Sequence, residues 1–115
     1  MTKYSSRYAS SPEAVKKYDT QELRNEFLID DLMQQDEIVL TYSHYDRYIA
    51  GSAVPVKGDL VLESIDPLKA SYFLERREIG IINVGGSGSI VVEGKTYALG
   101  FKDALYVGSG NKEVI

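Results

Sequence analysis

The stretch SYFLERREIGIINVGGSGSIVVEG, residues 71–94, decides the predicted fold of this chain. It contains a charged quartet, an apolar run over residues 79–84, a glycine turn over residues 85–88, a second apolar run over residues 89–93, and a tight reversal at Gly94. β-Branched residues favour a pleated, packed surface, and glycines allow the positive φ angles of tight reversals, so the stretch predicts a β-hairpin. Because residues 79–84 show no polar–apolar alternation, we expect both faces of that strand to be covered.

Composition limits the possible classes of protein. The chain has 115 residues, which suits a single domain. Its 13 basic and 17 acidic side chains give a net charge of -4, and the basic residues are scattered, which excludes nucleic acid as an expected partner. The chain has no cysteine, so it has neither disulfides nor thiolate metal ligands. No apolar run approaches the ~18 residues of a membrane span, and we expect a cytoplasmic protein with no membrane partner.

Two helix-start signals precede the first strand pattern. Ser10 and Glu13 have the spacing of a capping box, which predicts a short helix over residues 11–17. Asp19 and Glu22 repeat the spacing and predict a second short helix that ends before the acidic pair at residues 30–31. We therefore expect an N-terminal arm with one or two short helices.

Strand patterns fill the rest of the chain. Apolar and β-branched residues recur in short runs between turn residues, at residues 37–43, 48–54, 60–62, 79–84, 89–93, 96–99 and 104–107. Many short strands with few helices predict an all-β antiparallel sandwich or barrel. The expected division is residues 1–36 for the arm and helices and residues 37–115 for the β-barrel.

Several stretches resemble the N-terminal half of the 4-deoxy-L-threo-5-hexosulose-uronate ketol-isomerase family, also called 5-dehydro-4-deoxy-D-glucuronate isomerase. The similar stretches run from about Thr20 to the end: LRNEFL, SHYDR, SYFLERREIGIINVGGSGSIVVEGKTY and DALYVGSGNKEV. The resemblance implies a zinc-dependent isomerase of pectin breakdown, built from two cupin-like halves and assembled as a hexamer. For this chain it implies a cupin-like antiparallel jelly-roll barrel, and we expect the barrel to lack its last strands.

The cupin resemblance also identifies where a metal would be bound. Glu78 followed by six residues and Gly85 is similar to the second half of the first cupin motif, in which two histidines precede that glutamate. Here Ser71 and Phe73 stand at the histidine positions, and Glu113 stands at the histidine position of the second motif. Phenylalanine cannot coordinate a metal, so we expect no metal in this chain. The resemblance places the catalytic zinc in the C-terminal half.

Charged side chains near the predicted strand ends are candidates for substrate binding. Arginine binds carboxylates through paired hydrogen bonds, so we take as candidates for holding a sugar acid Arg47, Glu75, Arg76, Arg77 and Glu78. The simpler alternative is a paired charge network at the barrel mouth or at a subunit interface. No residue is assigned a catalytic role. His44, the only histidine, is expected to have a structural role.

Two functions remain open from the sequence. The first is the N-terminal half of an isomerase that converts 5-dehydro-4-deoxy-D-glucuronate to 3-deoxy-D-glycero-2,5-hexodiulosonate, so that the partner is a uronate-derived small molecule. The second is a metal-free, non-catalytic cupin that serves as a sugar-acid binding or oligomerisation module. Fold alone decides neither. An unfinished sheet would expose a strand edge, so we expect a homo-oligomer. Because the reaction of the family needs a metal and this chain lacks the metal ligands, we expect the isolated chain to be inactive.

Overall fold

The computed structural model describes residues 2–115, which are mostly β-structure with few helices, as the sequence predicts. The elements in chain order are β1 (Thr2–Arg7), α1 (Pro12–Val15), α2 (Thr20–Phe27), β2 (Ile38–Ser43), β3 (Tyr48–Ala53), the 3₁₀ helix (Asp66–Leu68), β4 (Ile79–Ile82), β5 (Gly88–Val92), β6 (Lys95–Leu99) and β7 (Ala104–Val107). Neither α-helix is long and apolar enough to cross a membrane within the described residues. The chain divides into two compact units, Met1–Leu60 and Val61–Ile115. The sequence predicts a different division, into an N-terminal arm with helices over residues 1–36 and a β-barrel over residues 37–115, and that division stays a prediction.

A three-stranded sheet in the order β1-β2-β3 forms the first unit. The β2–β3 pair is an antiparallel hairpin, whereas β1 runs parallel to β2 with Thr2 opposite Ile38. The expectation of a wholly antiparallel sheet is therefore wrong at this pair. The reason lies in the connection, because a parallel pair needs a crossover of a dozen or more residues and the segment between β1 and β2 supplies one that contains both helices.

Capping side chains fix where both helices begin. Ser11 rather than Ser10 caps α1, because its side chain accepts a hydrogen bond from the Ala14 amide. The capping box of α2 is confirmed, since the Asp19 carboxylate accepts from the Glu22 amide while the Glu22 carboxylate accepts from the Asp19 amide. The predicted position of the second helix is therefore correct, and that of the first is shifted by one residue at its cap.

Two two-stranded antiparallel sheets form the second unit, and they correct the predicted hairpin. β4 pairs with β7, and β5 pairs with β6, so the strands on either side of the glycine turn are not partners. Asn83 explains the change, because its amide donates to the Asp103 carbonyl and its carbonyl accepts from the Lys102 amide, which continues the β4–β7 ladder. Its side chain also donates to Gly86 and Leu99 carbonyls. The residues of the glycine turn have no positive φ.

The true hairpin of the second unit is β5–β6, which reverses at Glu93 (φ +48°) and Gly94 (φ +80°). The sequence predicted the reversal at Gly94 correctly. The predicted strand at residues 60–62 does not form, although the Leu62 amide donates to the Val114 carbonyl. Among residues 2–115 the sheets do not close into a barrel. The structure therefore shows an all-β arrangement with few helices.

Each unit has its own buried residues. In the first unit five consecutive β2 residues, 38–42, are buried. In the second unit the buried side chains come from the loop before β4 and from the later strands, namely Ile65, Leu68, Phe73, Leu74, Leu99, Val107 and Val114. The segment between residues 64 and 76 is consequently anchored by apolar side chains at both ends, and it is this segment that forms a cleft.

Candidate functional site

A shallow, open cleft of about 580 Å³ lies beside the 3₁₀ helix of the second unit. Its lining is predominantly polar and consists of Ser64, Ile65, Asp66, Lys69, Ala70, Ser71, Glu75 and Arg76. Two of the five predicted sugar-acid candidates, Glu75 and Arg76, lie here. The cleft is therefore the candidate site of this chain.

The 3₁₀ helix directs one cation and one anion outward. Pro67 suits the first turn of the helix, and Ile65 and Leu68 are buried on either side of it. Lys69 ends the helix in the left-handed region at φ +49°, and its amide donates to the Asp66 carbonyl. The Lys69 ammonium lies 3.0 Å from the Asp66 carboxylate in an ion pair that is largely exposed. Such a pair contributes little to stability, so its charges are available for binding.

Arg76 caps the same C-terminal end of the helix. Its Nη2 donates to the carbonyls of Leu68 at 3.0 Å and Lys69 at 2.9 Å, at the helix end where carbonyls lack intrahelical partners. Its Nη1 lies 3.7 Å from Glu75 Oε2, and the same carboxylate oxygen accepts from the Ser71 amide at 3.2 Å. Arg76 and Glu75 therefore organise the backbone of the cleft before any ligand arrives.

Buried neighbours hold this loop in place. Phe73 and Leu74 lie in the core, and the Gly110 amide donates to the Leu74 carbonyl at 2.7 Å. On the opposite wall the Ser64 hydroxyl donates to the Ala70 carbonyl at 2.9 Å. These hydrogen bonds connect the two ends of the segment over residues 64–76 and link the segment to the loop after β7. The polar lining is therefore preformed.

The charges of the lining balance. Asp66 and Glu75 supply two carboxylates, and Lys69 and Arg76 supply two cations, while Ser64 adds a hydroxyl. Carboxylates accept hydrogen bonds from sugar hydroxyls, and ammonium groups donate to carboxylates and carbonyls. A ligand carboxylate would have to compete with Asp66 for Lys69. The arrangement suits a polyhydroxylated acid better than a simple anion.

The other three candidates lie away from the cleft lining. Glu78 is exposed and accepts a 2.5 Å hydrogen bond from the Tyr106 hydroxyl, and this bond raises the pKa of Tyr106 above its usual value of 10.0. Arg77 is half-buried and engaged with other groups. Arg47 lies in the first unit, in the turn between β2 and β3, at φ +53°. That the five residues together bind a sugar acid stays a prediction.

Sequence reasoning missed three lining residues. Ser64, Asp66 and Lys69 reach the cleft because the 3₁₀ helix and its left-handed end fold the chain back on itself. The Asp-Pro step at residues 66–67 is a turn signal, but such a signal does not indicate which side chains the turn brings together. Tyr106 was also missed, since its partner Glu78 lies 28 residues away.

The four cupin metal-ligand positions are occupied by residues with other contacts. Phe73 is buried, the Ser71 amide is bonded to Glu75, and Glu78 is bonded to Tyr106. Glu113 is exposed and donates its amide to Glu93 at 3.1 Å. Within residues 2–115 no three histidine, cysteine, aspartate or glutamate side chains are placed to hold a metal ion. The residues of this chain therefore do not fit the zinc site that the cupin resemblance implies.

His44 makes aromatic contacts. Its ring stacks on Tyr8 with 4.5 Å between centroids and 16° between planes, and the Tyr42 ring meets it edge-on at 5.1 Å. Its amide donates to the Arg7 carbonyl at 2.9 Å. These contacts lie where β1 leaves the sheet, and they are what a structural histidine would make.

Comparison with known proteins relates the chain to one group of enzymes. No family model matches it. Three curated relatives carry the name 4-deoxy-L-threo-5-hexosulose-uronate ketol-isomerase. The Formosa agariphila protein is 75% identical over 114 residues, 99% of this chain and 41% of the relative. The Lachnoclostridium phytofermentans protein is 56% identical over 108 residues, which are 94% of this chain and 39% of the relative. A Bacteroides fragilis protein is 50% identical over 113 residues, which are 98% of this chain and 40% of the relative.

The chain thus spans about two fifths of the length of the curated relatives it matches. The matched region covers 94–99% of the chain, at 50–75% identity. Over nearly all of its own length, the chain is therefore similar to the N-terminal part of proteins named 4-deoxy-L-threo-5-hexosulose-uronate ketol-isomerase.

Proposed function

We propose that this chain is the N-terminal, cupin-like part of a cytoplasmic ketol-isomerase that converts 5-dehydro-4-deoxy-D-glucuronate to 3-deoxy-D-glycero-2,5-hexodiulosonate in pectin and uronate breakdown. The observation that carries the proposal is the 75% identity over 114 residues to a protein named as such an isomerase. The all-β composition of the chain supports a cupin-like jelly roll, which the remaining strands of a longer chain would complete.

The proposed reaction moves a carbonyl between neighbouring carbons of an open-chain sugar acid. A proton leaves one carbon and is returned to the next, and negative charge develops on the oxygens between these steps. Such a reaction needs a positioned acid–base group and stabilisation of the developing charge. Zinc, when bound, would supply that stabilisation as a Lewis acid. Because the residues of this chain do not fit a zinc site, we place the metal ligands in the part of the protein outside this chain.

The role we propose for this chain is to hold the polar end of the substrate. The cleft offers the Lys69 ammonium to the substrate carboxylate or carbonyl, and the Asp66 and Glu75 carboxylates to its hydroxyls. Its walls are preformed by the bonds of Arg76 to two backbone carbonyls. A preformed site loses less conformational entropy when the substrate binds.

A second function has one observation in its favour. Phe73 occupies a cupin ligand position and is buried at 5% exposure, so that position serves packing and not coordination. A cupin of this kind could serve as a sugar-acid binding or oligomerisation module without doing chemistry itself. In that case the cleft would bind a uronate in the isolated chain, and the activity of the whole protein would not depend on the cleft.

The test of the main proposal compares this chain with a chimera in which it replaces the 114 matched residues of the Formosa agariphila relative. Both are assayed with the keto-uronate and added zinc, beside the parent relative. We expect turnover by the chimera and none by the chain alone. Zinc-dependent turnover by the chain alone, abolished in Glu78→Gln or Arg77→Ala, would place the chemistry here and overturn the assignment. A folded but inactive chimera would overturn the isomerase proposal itself.

The role of the cleft is tested by a matched pair of lysine substitutions in the chimera. Lys69 and Lys16 both form exposed ion pairs with a carboxylate three residues earlier, at 3.0 and 3.2 Å. We expect Lys69→Met to raise KM about tenfold with kcat nearly unchanged, the pattern of lost uniform binding, and Lys16→Met to leave both constants unchanged. Equal KM values for the two variants would remove the cleft from the substrate site.

A further inference from the structure

The outer face of the β4–β7 sheet is apolar and open to solvent. The antiparallel register places Gly80 opposite Tyr106 and Ile82 opposite Ala104, so these four residues share one face, which we call the open face. All four are exposed, Ile82 at 68% and Tyr106 at 65%. The opposite face consists of the residues that are partly or fully buried, namely Ile79, Ile81, Leu105 and Val107.

The apolar surface continues beyond the strand ends. The hydrogen bonds of Asn83 prolong the ladder, and Val84, two residues past Ile82, is 63% exposed. Phe101, in the turn that leads into β7, is 60% exposed, with the Lys102 ammonium 5.3 Å from its ring centroid. Exposed apolar side chains therefore lie both on the open face and in the segments of chain next to it.

The residues of the open face are of the types normally found on a buried face of a sheet. A sheet face in water normally carries polar residues at the outward positions. Here the outward positions hold glycine, isoleucine, alanine and tyrosine, and the tyrosine hydroxyl is bonded to Glu78 at the edge. In the β5–β6 sheet, by contrast, the exposed cross-strand pair is Ser89 and Ala98, with Thr96 exposed next to it. Contiguous exposed apolar surface of this kind marks an interaction site.

We propose that the open face is a docking surface for the part of a relative-length chain that lies outside the matched residues. The Formosa agariphila relative matches this chain over 41% of its length, which leaves about 59% of that protein as a possible partner. Polypeptide tethered to the same chain acts at an effective concentration of about millimolar. It therefore competes favourably with a second copy for the same apolar surface. The inference rests on the sequence relationship and not on the proposed substrate cleft.

Thiol labelling tests the docking surface, because the chain contains no cysteine. Ala104, on the open face, and Ala98, on β6, are both exposed strand alanines of the second unit, so Ala104→Cys and Ala98→Cys are a matched pair. Each is made in the 115-residue chain and in the chimera. The rate of maleimide addition is followed by mass spectrometry of the tryptic peptide that contains the substituted residue, which keeps any cysteine of the relative out of the measurement.

In the 115-residue chain we expect the two variants to react at similar rates. In the chimera we expect Ala104→Cys to react at least about tenfold more slowly, because the site must first open, and Ala98→Cys to keep its rate. Ile82→Cys replaces Ala104→Cys if circular dichroism shows that the latter is unfolded. Isomerase activity of the unlabelled chimera is measured in parallel, and protection in an inactive chimera would support the docking surface while overturning the proposed function.

Three results would overturn the inference. An unchanged rate for Ala104→Cys in the chimera would show that the open face stays open. Slowing already in the 115-residue chain, and increasing with its concentration, would show that a second copy covers the face. Equal slowing of both variants in the chimera would show protection that is not specific to the open face.

Discussion

The strands β2 and β4 have similar apolar sequences but different surroundings. β2 reads IVLTYS, and its first five residues are buried on both faces, whereas β4 reads IGII and alternates between half-buried and exposed residues. Ile38 at the start of β2 is 5% exposed, and Ile82 at the end of β4 is 68% exposed. An apolar run therefore predicts that other residues pack over the strand. It does not indicate whether those residues belong to this chain.

The largest expected effect is a direct test of that difference. Ile38→Ala removes a buried side chain and leaves a cavity, so we expect the free energy of unfolding to fall by about 2–5 kcal/mol. Ile82→Ala removes an exposed side chain and should change it by no more than about 0.5 kcal/mol in the 115-residue chain. Urea unfolding followed by circular dichroism measures both. A loss at Ile82 as large as that at Ile38 would mean that the open face is already packed in the isolated chain.

Two strand glycines give the next largest contrast. A Cβ at Gly51 in β3 would lie 2.5 Å from Leu40 Cδ2 and 2.8 Å from the Val39 carbonyl oxygen, both in β2. We expect Gly51→Ala to destabilise the chain by about 1–3 kcal/mol, since the backbone oxygen cannot easily move.

Gly80 on the open face provides the control for Gly51. Nothing lies within 4 Å of a Cβ at Gly80, and its φ is not positive, so Gly80→Ala should stabilise the chain by about 0.4–1 kcal/mol through the unfolded state. Both variants are measured by thermal and urea unfolding. A destabilised Gly80→Ala variant would show that the space above β4 is not empty in the isolated chain.

Local signals in the sequence located most of the elements, although the strand at residues 60–62 does not form and the cap of α1 lies one residue later than predicted. Strand partnership was not predicted correctly. The Asp19–Glu22 capping box, the 48–53 strand and the reversal at Gly94 all depend on residues close in the chain, and all three appear in the structure. The pairing of β4 with β7 depends on Asn83 meeting residues about twenty positions later. No local pattern near the glycine turn encodes that contact, so the predicted hairpin was wrong.

The candidate site was predictable in part for the same reason. Glu75 and Arg76 were identified because their residue types suit carboxylate binding, and both line the cleft. Arg76 donates two hydrogen bonds, to the carbonyls of Leu68 and Lys69. These bonds could not be predicted from the sequence, because they depend on where the 3₁₀ helix ends. Arg47 was grouped with them by residue type alone, and it lies in the other unit.

A smaller effect is expected at the edge of the open face. The Tyr106 hydroxyl donates to the Glu78 carboxylate, and this bond, with some desolvation and the nearby negative charge, raises the pKa of Tyr106 above 10.0. Because the folded-state pKa is above the unfolded value, the contribution of the bond to stability is present below pH ~10 and is lost as the pH rises through the folded-state pKa. Glu78→Gln removes the charge and should lower the Tyr106 pKa.

Tyrosine ¹³Cζ NMR titration measures the pKa in both forms. The Tyr106 titration is repeated in the chimera, because docking on the open face would bury Tyr106 and raise its pKa further. Such a rise would show that the β4–β7 sheet, unlike β2, is covered only in the longer protein. An identical titration of Tyr106 in the chain and in Glu78→Gln would show that the hydrogen bond is not formed in solution.

The smallest effect lies at the entrance of β2, where Asp36 joins the two ends of the β2–β3 hairpin. Its carboxylate accepts from the amides of Lys57 at 2.7 Å and Val56 at 2.8 Å, and these two bonds lower the pKa of Asp36 below 3.8. Its own amide donates to the Val54 carbonyl. The residue has φ +58°, a conformation that asparagine also tolerates, so Asp36→Asn removes the charge without straining the backbone.

Because the folded-state pKa of Asp36 is depressed, its contribution to stability is present above pH ~3.8 and is lost as the pH falls through the lower folded-state value. We expect carboxyl ¹³C NMR to give an Asp36 midpoint below 3.8, and we expect the stability of the chain to fall more steeply in that range than that of Asp36→Asn. The effect should be small, since the carboxylate is close to solvent and screened. If both proteins lose stability equally between pH 4 and 2, the bonds to Val56 and Lys57 do not hold the hairpin. The burial of the first five β2 residues would then depend on apolar packing alone. That burial is the property that distinguishes β2 from β4.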